Sequence, residues 1–320
     1  MKVRLGYVAM TMNLKDASPS KTVTITTYNK IESEEGKRNR LERITKTNLE
    51  NTLRILRYNK VHDIYVYRFT SKLVPLATYL PIENWYYQKD FEREFKEIGK
   101  FVKENNMRVS AHPDHFTIIN SLDEKVFQDS LRDLEYHYQV FKAMGLEDSR
   151  YKLVLHVGGL YGDKKASMQR FIDNFQRLPE YIQNKIIIEN DDKIYTARDV
   201  LYLCQQLNIP MVLDIHHYQC NNEGEELLDL LPLVFNTWEN EYFNPKVHFS
   251  TPKNEKQFRS HADEIDADSF FDFIEKAKLV NRDIDVMLEA KNKDNALFRL
   301  MEKIKEWGKV KIINNSTFEY

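Results

Sequence analysis

The sequence predicts one (β/α)8 TIM barrel, and three observations carry that prediction. Eight short runs rich in β-branched or aromatic residues recur along the chain, eight longer stretches with helical periodicity lie between and after them, and 320 residues fall within the range in which α/β barrels occur as one unit. Strands alternating with helices imply a parallel sheet, because parallel neighbours need crossover connections. Doubly wound open sheets share the pattern, so closure follows from the count: a closed barrel is the simplest architecture that uses all eight pairs.

In chain order, the first run is "VRLGYV" at 3–8. The connection after it, Met10 to Gly36, is too long for an ordinary loop, and it is predicted to cover the barrel mouth with a short hairpin of its own. A helical stretch at 38–58 leads to "DIYVYRF" at 63–69, and "EREFKEIGKFVKENN" at 92–106, with Phe95, Ile98 and Val102 on one face, leads to "MRVSAH" at 107–112. Helices at 123–144 and 166–182 flank "KLVLHV" at 152–157, and "KIIIEN" at 185–190 precedes a helix at 196–207. "MVLDIH" at 211–216, a helix at 225–238, "KVHFS" at 246–250, a helix at 268–280, "DVMLEA" at 285–290 and a helix at 294–307 complete the set. The near-continuous apolar character of "IIIE" and "MVLD" suits strands covered by helices outside and packed side chains inside. No repeat and no Pro-, Gly- or Ser-rich linker divides the chain, so residues 1–320 are read as one domain.

Composition narrows the function classes. Hydrophobic residues make up 42% and charged residues 30%, a globular balance without disordered bias. No apolar run is long enough to span a bilayer, and "MKVRLGYVAM" lacks a signal-peptide core, which predicts a cytoplasmic protein with no membrane partner. The two cysteines, Cys204 and Cys220, form no spaced pair, which argues against a disulfide framework or a thiolate metal site. A net charge of -2 argues against a generally basic nucleic-acid coat but leaves a local basic surface open.

Reactive groups of such barrels lie at the C-terminal ends of the strands. Here the third run ends in His112, the fourth carries His156, the fifth Glu189, the sixth Asp214 with His217 just beyond, the seventh His248 and the eighth Glu289; the second ends near Arg68 and the first near Tyr7. His115, His217 and His261 fall in adjacent loops, whereas His62 and His137 sit where a structural role suffices. One strand-end histidine is more often a hydrogen-bonded structural side chain than a ligand. Coincidence across six strands favours ligation, since converging imidazoles and carboxylates are costly to desolvate without a partner and divalent metals satisfy both. Mixed His and carboxylate donors suit Zn, Mn or Fe, and their number exceeds what one ion needs. A di- or trinuclear hydrolytic centre follows, able to activate water, polarise a phosphoryl oxygen and stabilise a departing one. For "GDKK" at 162–165 and for Lys253, Lys256 and Arg259, solvated surface is the default and phosphate contact the sharper option. In "LDIHHY", strand alternation places Asp214 and His216 on one face.

Taken in order, "LGY" at 5–7, "YRFTS" at 67–71, "SAHPDHF" at 110–116, "LHVGG" at 155–159, "IENDD" at 188–192, "LDIHHY", "KVHFS", "SHADEID" at 260–266 and "LEAKNKD" at 288–294 resemble the UV damage endonuclease family, close to its Bacillus-type members. The resemblance spans nearly the whole chain and implies a metal-dependent barrel similar to endonuclease IV. It implies nicking of duplex DNA immediately 5′ to UV photoproducts, cyclobutane pyrimidine dimers and 6-4 photoproducts among them, leaving a 3′-hydroxyl and a 5′-phosphate for excision repair. Carried over position by position, it puts one metal on His112, His156 and Glu189, with Glu189 bridging to a second held by Asp214, His248 and Glu289, and a third on His217 and His261. Glu189, Lys246 and His217 become the catalytic set, Lys246 matching a family lysine that can be carboxylated. Tyr7, His115 and Phe116 match positions that probe the damaged duplex, with Arg68, Lys253 and Arg259 as further DNA contacts. The implied cofactors are two or three divalent ions, manganese foremost with Zn, Mg or Fe as alternatives; the implied partner is UV-damaged double-stranded DNA, bound by a monomer. The D-x-x-H spacing selects His217 as a ligand and leaves His216 a supporting role.

The chain departs from that pattern in three places. It has His115-Phe116 where the family often has Gln-Tyr, Thr11 where Asn is common, and Tyr79 where a His aligns. These bear on lesion preference and on one polar contact, and from pattern alone Phe116 fits barrel-rim packing equally well. Two rival functions share the residue set: a metal-dependent sugar isomerase or epimerase, which needs a compact closed pocket, and a lesion-binding barrel without catalysis, which has no need for Glu189 and Glu289 together.

Overall fold

Eight parallel strands close on themselves: β1 (Lys2–Val8), β2 (Val66–Arg68), β3 (Arg108–Ala111), β4 (Lys152–His156), β5 (Ile186–Glu189), β6 (Met211–Asp214), β7 (Lys246–Phe249) and β8 (Ile284–Leu288). In the computed structural model, which describes residues 1–82 and 85–320, each strand pairs with the next, and β1 pairs with both β8 and β2 to complete the ring. The predicted (β/α)8 TIM barrel is therefore the fold. Close pairing of β1 with β2 depends on Gly6, where a Cβ would stand 2.2 Å from the carbonyl oxygen of Val66.

Four details differ from the sequence reading. The segment after β1 holds no hairpin; a short helix, Ile25–Asn29, is followed by Glu34–Val61, whose start is capped by the Ser33 hydroxyl accepting from the Gly36 N–H. The helix predicted at 166–182 is two helices, Lys164–Gln176 and Glu180–Gln183, because Pro179 cannot continue the first. The run "MVLDIH" leaves the sheet after Asp214 and becomes helix Ile215–Cys220, so His216 is helical. Past the last predicted helix lies an unpredicted antiparallel pair, β9 (Lys311–Asn314) and β10 (Thr317–Glu319), with β10 laid on β1. Its two-residue turn is Asn315-Ser316, both of them common turn residues.

Side chains alternate along a strand, so residues two apart share a face, and this sorts the barrel. The outward set, including Leu5, Tyr7, Val109, Leu155, Ile188, Leu213 and Val247, joins the large core shared with the helices. The inward set forms tiers. Lowest are Arg4, Arg108 and Asp285, with Arg108 stacked 4.9 Å over the Trp238 ring. In the middle, Val154, Ile187 and Val212 pack with Trp238, and Val66 packs with Met287, leaving Ser110 and Lys246 as polar exceptions. The top tier, two residues further on, carries Arg68, His112, His156, Glu189, Asp214, His248 and Glu289. Among the described residues, no helix is long and apolar enough to cross a membrane.

Candidate metal centre

Strand register sets the ring at the barrel mouth. His156 lies beside Glu189 across β4 and β5, Asp214 beside His248 across β6 and β7, and the Glu289 N–H donates to the Phe249 carbonyl at 2.9 Å. Three groups of donors have ligand atoms within 4.8 Å of one another: His112, His156 and Glu189; Glu189, Asp214 and His217; and Glu189, His248 and Glu289. Glu189, fully enclosed, belongs to all three. Asp214 groups with His217 here, and among the described residues His261 joins no group, its Nδ1 lying 3.8 Å from Glu289 Oε2 and its ring 6.4 Å from that of His217.

The hydrogen bonds of the imidazoles decide which nitrogens are free. A carbonyl oxygen only accepts, so a ring nitrogen facing one must carry the hydrogen. Nδ1 of His112 faces Pro113 O at 2.9 Å, that of His217 faces Asn190 O at 2.9 Å, and that of His261 faces Glu289 O at 2.8 Å. In each neutral ring Nε2 then keeps its lone pair, the arrangement that carbonyl partners impose on metal-ligating histidines. His216 is the opposite case. Its Nε2 meets Phe258 O at 2.7 Å and its Nδ1 meets the Ser250 hydroxyl at 3.0 Å, so both nitrogens are used within the protein. The structure therefore separates the doublet as D-x-x-H spacing does and not as strand alternation does.

Charge at the mouth is unbalanced without a bound cation. Glu189, Asp214 and Glu289 converge where Arg68, 2.5 Å from Glu289, is the one arginine paired to them among the described residues. Burial, which His217 opposes only in part, pushes the Asp214 carboxyl well above the usual range, and Glu189 and Glu289 push it further. Burial works against the charged form of His217, yet Asp214, Glu189 and Glu289 outweigh it and raise its pKa to about 9. His112 Nε2 stands 3.1 Å from Glu189 Oε2, two lone-pair atoms that need a proton or a cation between them. Of the eight buried side-chain nitrogen and oxygen atoms without a partner among the described residues, three belong here: Asp214 Oδ2, His156 Nδ1 and His248 Nε2. Unpaired buried polar atoms are rare in native proteins, so their clustering fits a set of donors shaped for divalent ions.

The remaining predicted residues fall around this centre in different ways. Lys246 is inward but one tier below His248, its Nζ 2.7 Å from Ser110 Oγ; burial and the nearby Arg108 and Arg68 hold its pKa well below that of an ordinary lysine. Tyr7 does not face the mouth. Gly6 and Val8 take the inward positions of β1, which turns the Tyr7 ring outward into the core, where its hydroxyl donates to Asn59 at 2.5 Å. With no exposed ring face it cannot stack on a base, which corrects that expectation. Arg68 points inward onto Glu289 and acts first as a counter-charge there. His115 and Phe116 project from the loop after β3, Phe116 with 56% of its surface exposed. Lys253 and Arg259 are exposed on a loop pinched shut by the Pro252–His261 bridge, with Arg259 3.7 Å from Asp192. Of the departures, Thr11 is buried with its hydroxyl on Asp294, and Tyr79 is half-buried in the loop after β2.

Two contributors escaped sequence reasoning. Asn190 clamps Asp214, donating to its carbonyl at 3.0 Å and accepting from its N–H at 2.9 Å, while its own carbonyl orients His217. Asp294 holds the loop after β1 through the Met12 N–H and Asn13, and ties it to helix Glu34–Val61 through the Tyr58 hydroxyl. A polar residue directly after an apolar strand was the available signal for Asn190.

Fold and centre together define a class: (β/α)8 barrels that gather imidazoles and carboxylates at the C-terminal mouth as a candidate multi-metal centre. Within that class the chain belongs to the UV-endonuclease UvdE family, whose model matches residues 3–320. It is 41% identical over 320 residues to the UV DNA damage endonuclease of Bacillus thuringiensis subsp. konkukian (strain 97-27), with 100% of both chains covered. The UV DNA damage endonuclease of Bacillus mycoides (strain KBAB4) is 41% identical over the same span, again with 100% of each covered. Among solved structures, SacUVDE matches with a TM-score of 0.84 and 32% identity over 96% of this chain and 99% of that one. Endonuclease IV from Thermus thermophilus shares the fold, with a TM-score of 0.53 and 11% identity over 95% of this chain and 99% of that one.

Proposed function

We propose that this chain is a metal-dependent DNA repair endonuclease, a hydrolase that nicks duplex DNA immediately 5′ to UV photoproducts and leaves a 3′-hydroxyl and a 5′-phosphate. The observation that carries this reading is the sharing of Glu189 by three groups of metal-competent donors in a member of the UV-endonuclease family. His112, His156 and Glu189 would hold one ion, Glu189, His248 and Glu289 a second, and Glu189, Asp214 and His217 a third, manganese being the first candidate. Ions held there would supply Lewis-acid chemistry, activating water and stabilising charge on the phosphoryl and departing oxygens.

The chain's own residues do the rest. Arg68 limits repulsion between Glu289 and an approaching phosphate, and Asn190 fixes both Asp214 and His217. Lys246, enclosed and bonded to Ser110, supports the centre from the tier below and is the position for carboxylation. Damaged steps bend and unstack more easily than intact ones, so a protruding wedge can select them by deformation energy. His115 and Phe116, exposed on the loop after β3, take that task in this reading, and the exposed Lys253 and Arg259 take phosphate contact. The protein would act as a cytoplasmic monomer on UV-damaged double-stranded DNA.

The test is incision of a UV-irradiated, end-labelled duplex with added Mn, before and after chelation. We expect a break 5′ to the photoproduct whose 3′ end a polymerase extends, lost on chelation and absent from unirradiated duplex. Binding of the irradiated duplex without any break would mark a lesion-binding barrel, and turnover of a ketose without DNA affinity would mark an isomerase.

A further inference from the structure

The floor of the barrel, opposite the metal centre, opens into a cavity of about 570 Å³. That size lies within the roughly 300–1,000 Å³ of small-molecule sites. Four cations line it, Lys2, Arg4, Lys103 and Arg150, against one lining carboxylate, Asp283. Two of the four are neutralised elsewhere: Arg4 is paired with Asp285 at 2.6 Å and Arg150 with Asp148 at 2.9 Å. Lys2 and Lys103 are exposed and have no carboxylate partner among the described residues, while Asp283 accepts the Lys2 backbone N–H at 2.6 Å. Two lysines without a carboxylate partner on the lining of a concave site favour an anion there.

An aromatic wall stands beside them. The Arg150 guanidinium lies 4.7 Å over the Tyr242 ring, and Phe243 packs edge-on against Tyr242 with ring centroids 5.0 Å apart. Tyr242 nevertheless keeps 67% of its surface exposed, which leaves ring area for a planar group to cover. Ammonium groups for a phosphate beside a stacking surface for a base are the elements with which proteins hold a nucleotide.

We propose that this floor cavity is a second ligand site that binds a nucleoside monophosphate, with the phosphate on Lys2 and Lys103 and the base on Tyr242. It is separate from the reading of the metal centre, which lies at the other end of the barrel, and either can fail without the other.

Calorimetric titration of the full-length protein with 2′-deoxyadenosine 5′-monophosphate, 2′-deoxyadenosine and inorganic phosphate tests it. We expect one nucleotide per chain, with nucleoside and phosphate each at least about tenfold weaker. Lys2→Glu and Lys103→Glu should each weaken the nucleotide by about tenfold without moving the melting temperature, since both side chains are exposed. Tyr242→Ala should weaken the nucleotide while leaving phosphate alone unchanged. Glu189→Gln should keep the nucleotide site intact. Nucleotide affinity lost in Glu189→Gln but kept in both lysine variants would move the ligand to the mouth and overturn the proposal. Equal affinity for phosphate and nucleotide would overturn the nucleotide assignment.

Discussion

Asp285 and Glu289 leave the same stretch of chain on the same inward face, one at the floor of the barrel and one at its mouth, and meet opposite electrostatic surroundings. Asp285, fully buried, accepts from Arg4 Nε and Nη2 at 2.6 Å each and from Arg108 Nη1 at 2.7 Å. Burial alone would raise its pKa, but Arg108 and Arg4 hold it below the usual range. Nearby, Lys152 pairs with Glu241 at 2.7 Å, and Lys185 donates to the carbonyls of Leu146, Asp148 and Tyr151. At the mouth, three carboxylates crowd together with one paired arginine and three partnerless buried atoms among the described residues. Charge balanced within the chain supports the fold, and charge left open by the chain marks where something else must bind.

The sharpest way to break this contrast is to remove a carboxylate from each end. Asp285→Ala leaves the enclosed Arg108 and the neighbouring Arg4 without their shared counter-charge and should destabilise the protein by about 3–5 kcal/mol in urea unfolding. Metal content of the folded fraction should stay unchanged; a fall in bound metal at full stability would sink the division between floor and mouth. Glu189→Gln should do the reverse, removing a donor common to all three groups. Metal affinity and incision should drop by at least about a hundredfold, above the range for supporting residues, with the melting temperature of the metal-stripped protein held or raised.

Smaller changes sharpen the boundary of the centre. Asn190→Ala should cost roughly 10- to 100-fold in metal affinity, because it frees Asp214 and His217 to reorient; an unchanged metal titration would show that the clamp is idle. His217→Ala and His216→Ala make a paired comparison, read by metal analysis and hydrogen exchange. The first should lower bound metal, whereas the second should keep it and speed exchange in residues 251–261, whose Phe258 carbonyl it releases. Equal metal loss in both would refute the tautomer argument. Last, Phe116→Ala should narrow the preference for irradiated over intact duplex by about 1–3 kcal/mol, the scale of one stacked base, without altering metal content.

Much of the fold was legible because each strand is short, apolar and bounded. Misreadings came where a local residue overruled periodicity: Pro179 ended a helix, Ser33 started one inside a predicted loop, and Asp214 turned a strand into helix Ile215–Cys220 by accepting from the His217 N–H at 2.7 Å. In the site, the strand-end imidazoles and carboxylates were visible as polar residues after apolar runs. Tyr7 was not, because period two alone does not say which of two faces is the inside; Gly6, pressed against Val66, reveals it only in the closed barrel.

The sequence by itself determined the alternation of strands and helices and the placing of His112, His156, Glu189, Asp214, His248 and Glu289 at strand ends, since hydrophobic periodicity and residue type are local properties. Only the tertiary structure decided that Glu189 is common to three donor groups, that His216 is saturated while His217 keeps a nitrogen free, and that Asp285 is neutralised where Glu289 is left short of positive charge. Each of those depends on atoms brought together from distant strands when the barrel closes, and on hydrogen bonds whose partners no spacing in the sequence specifies.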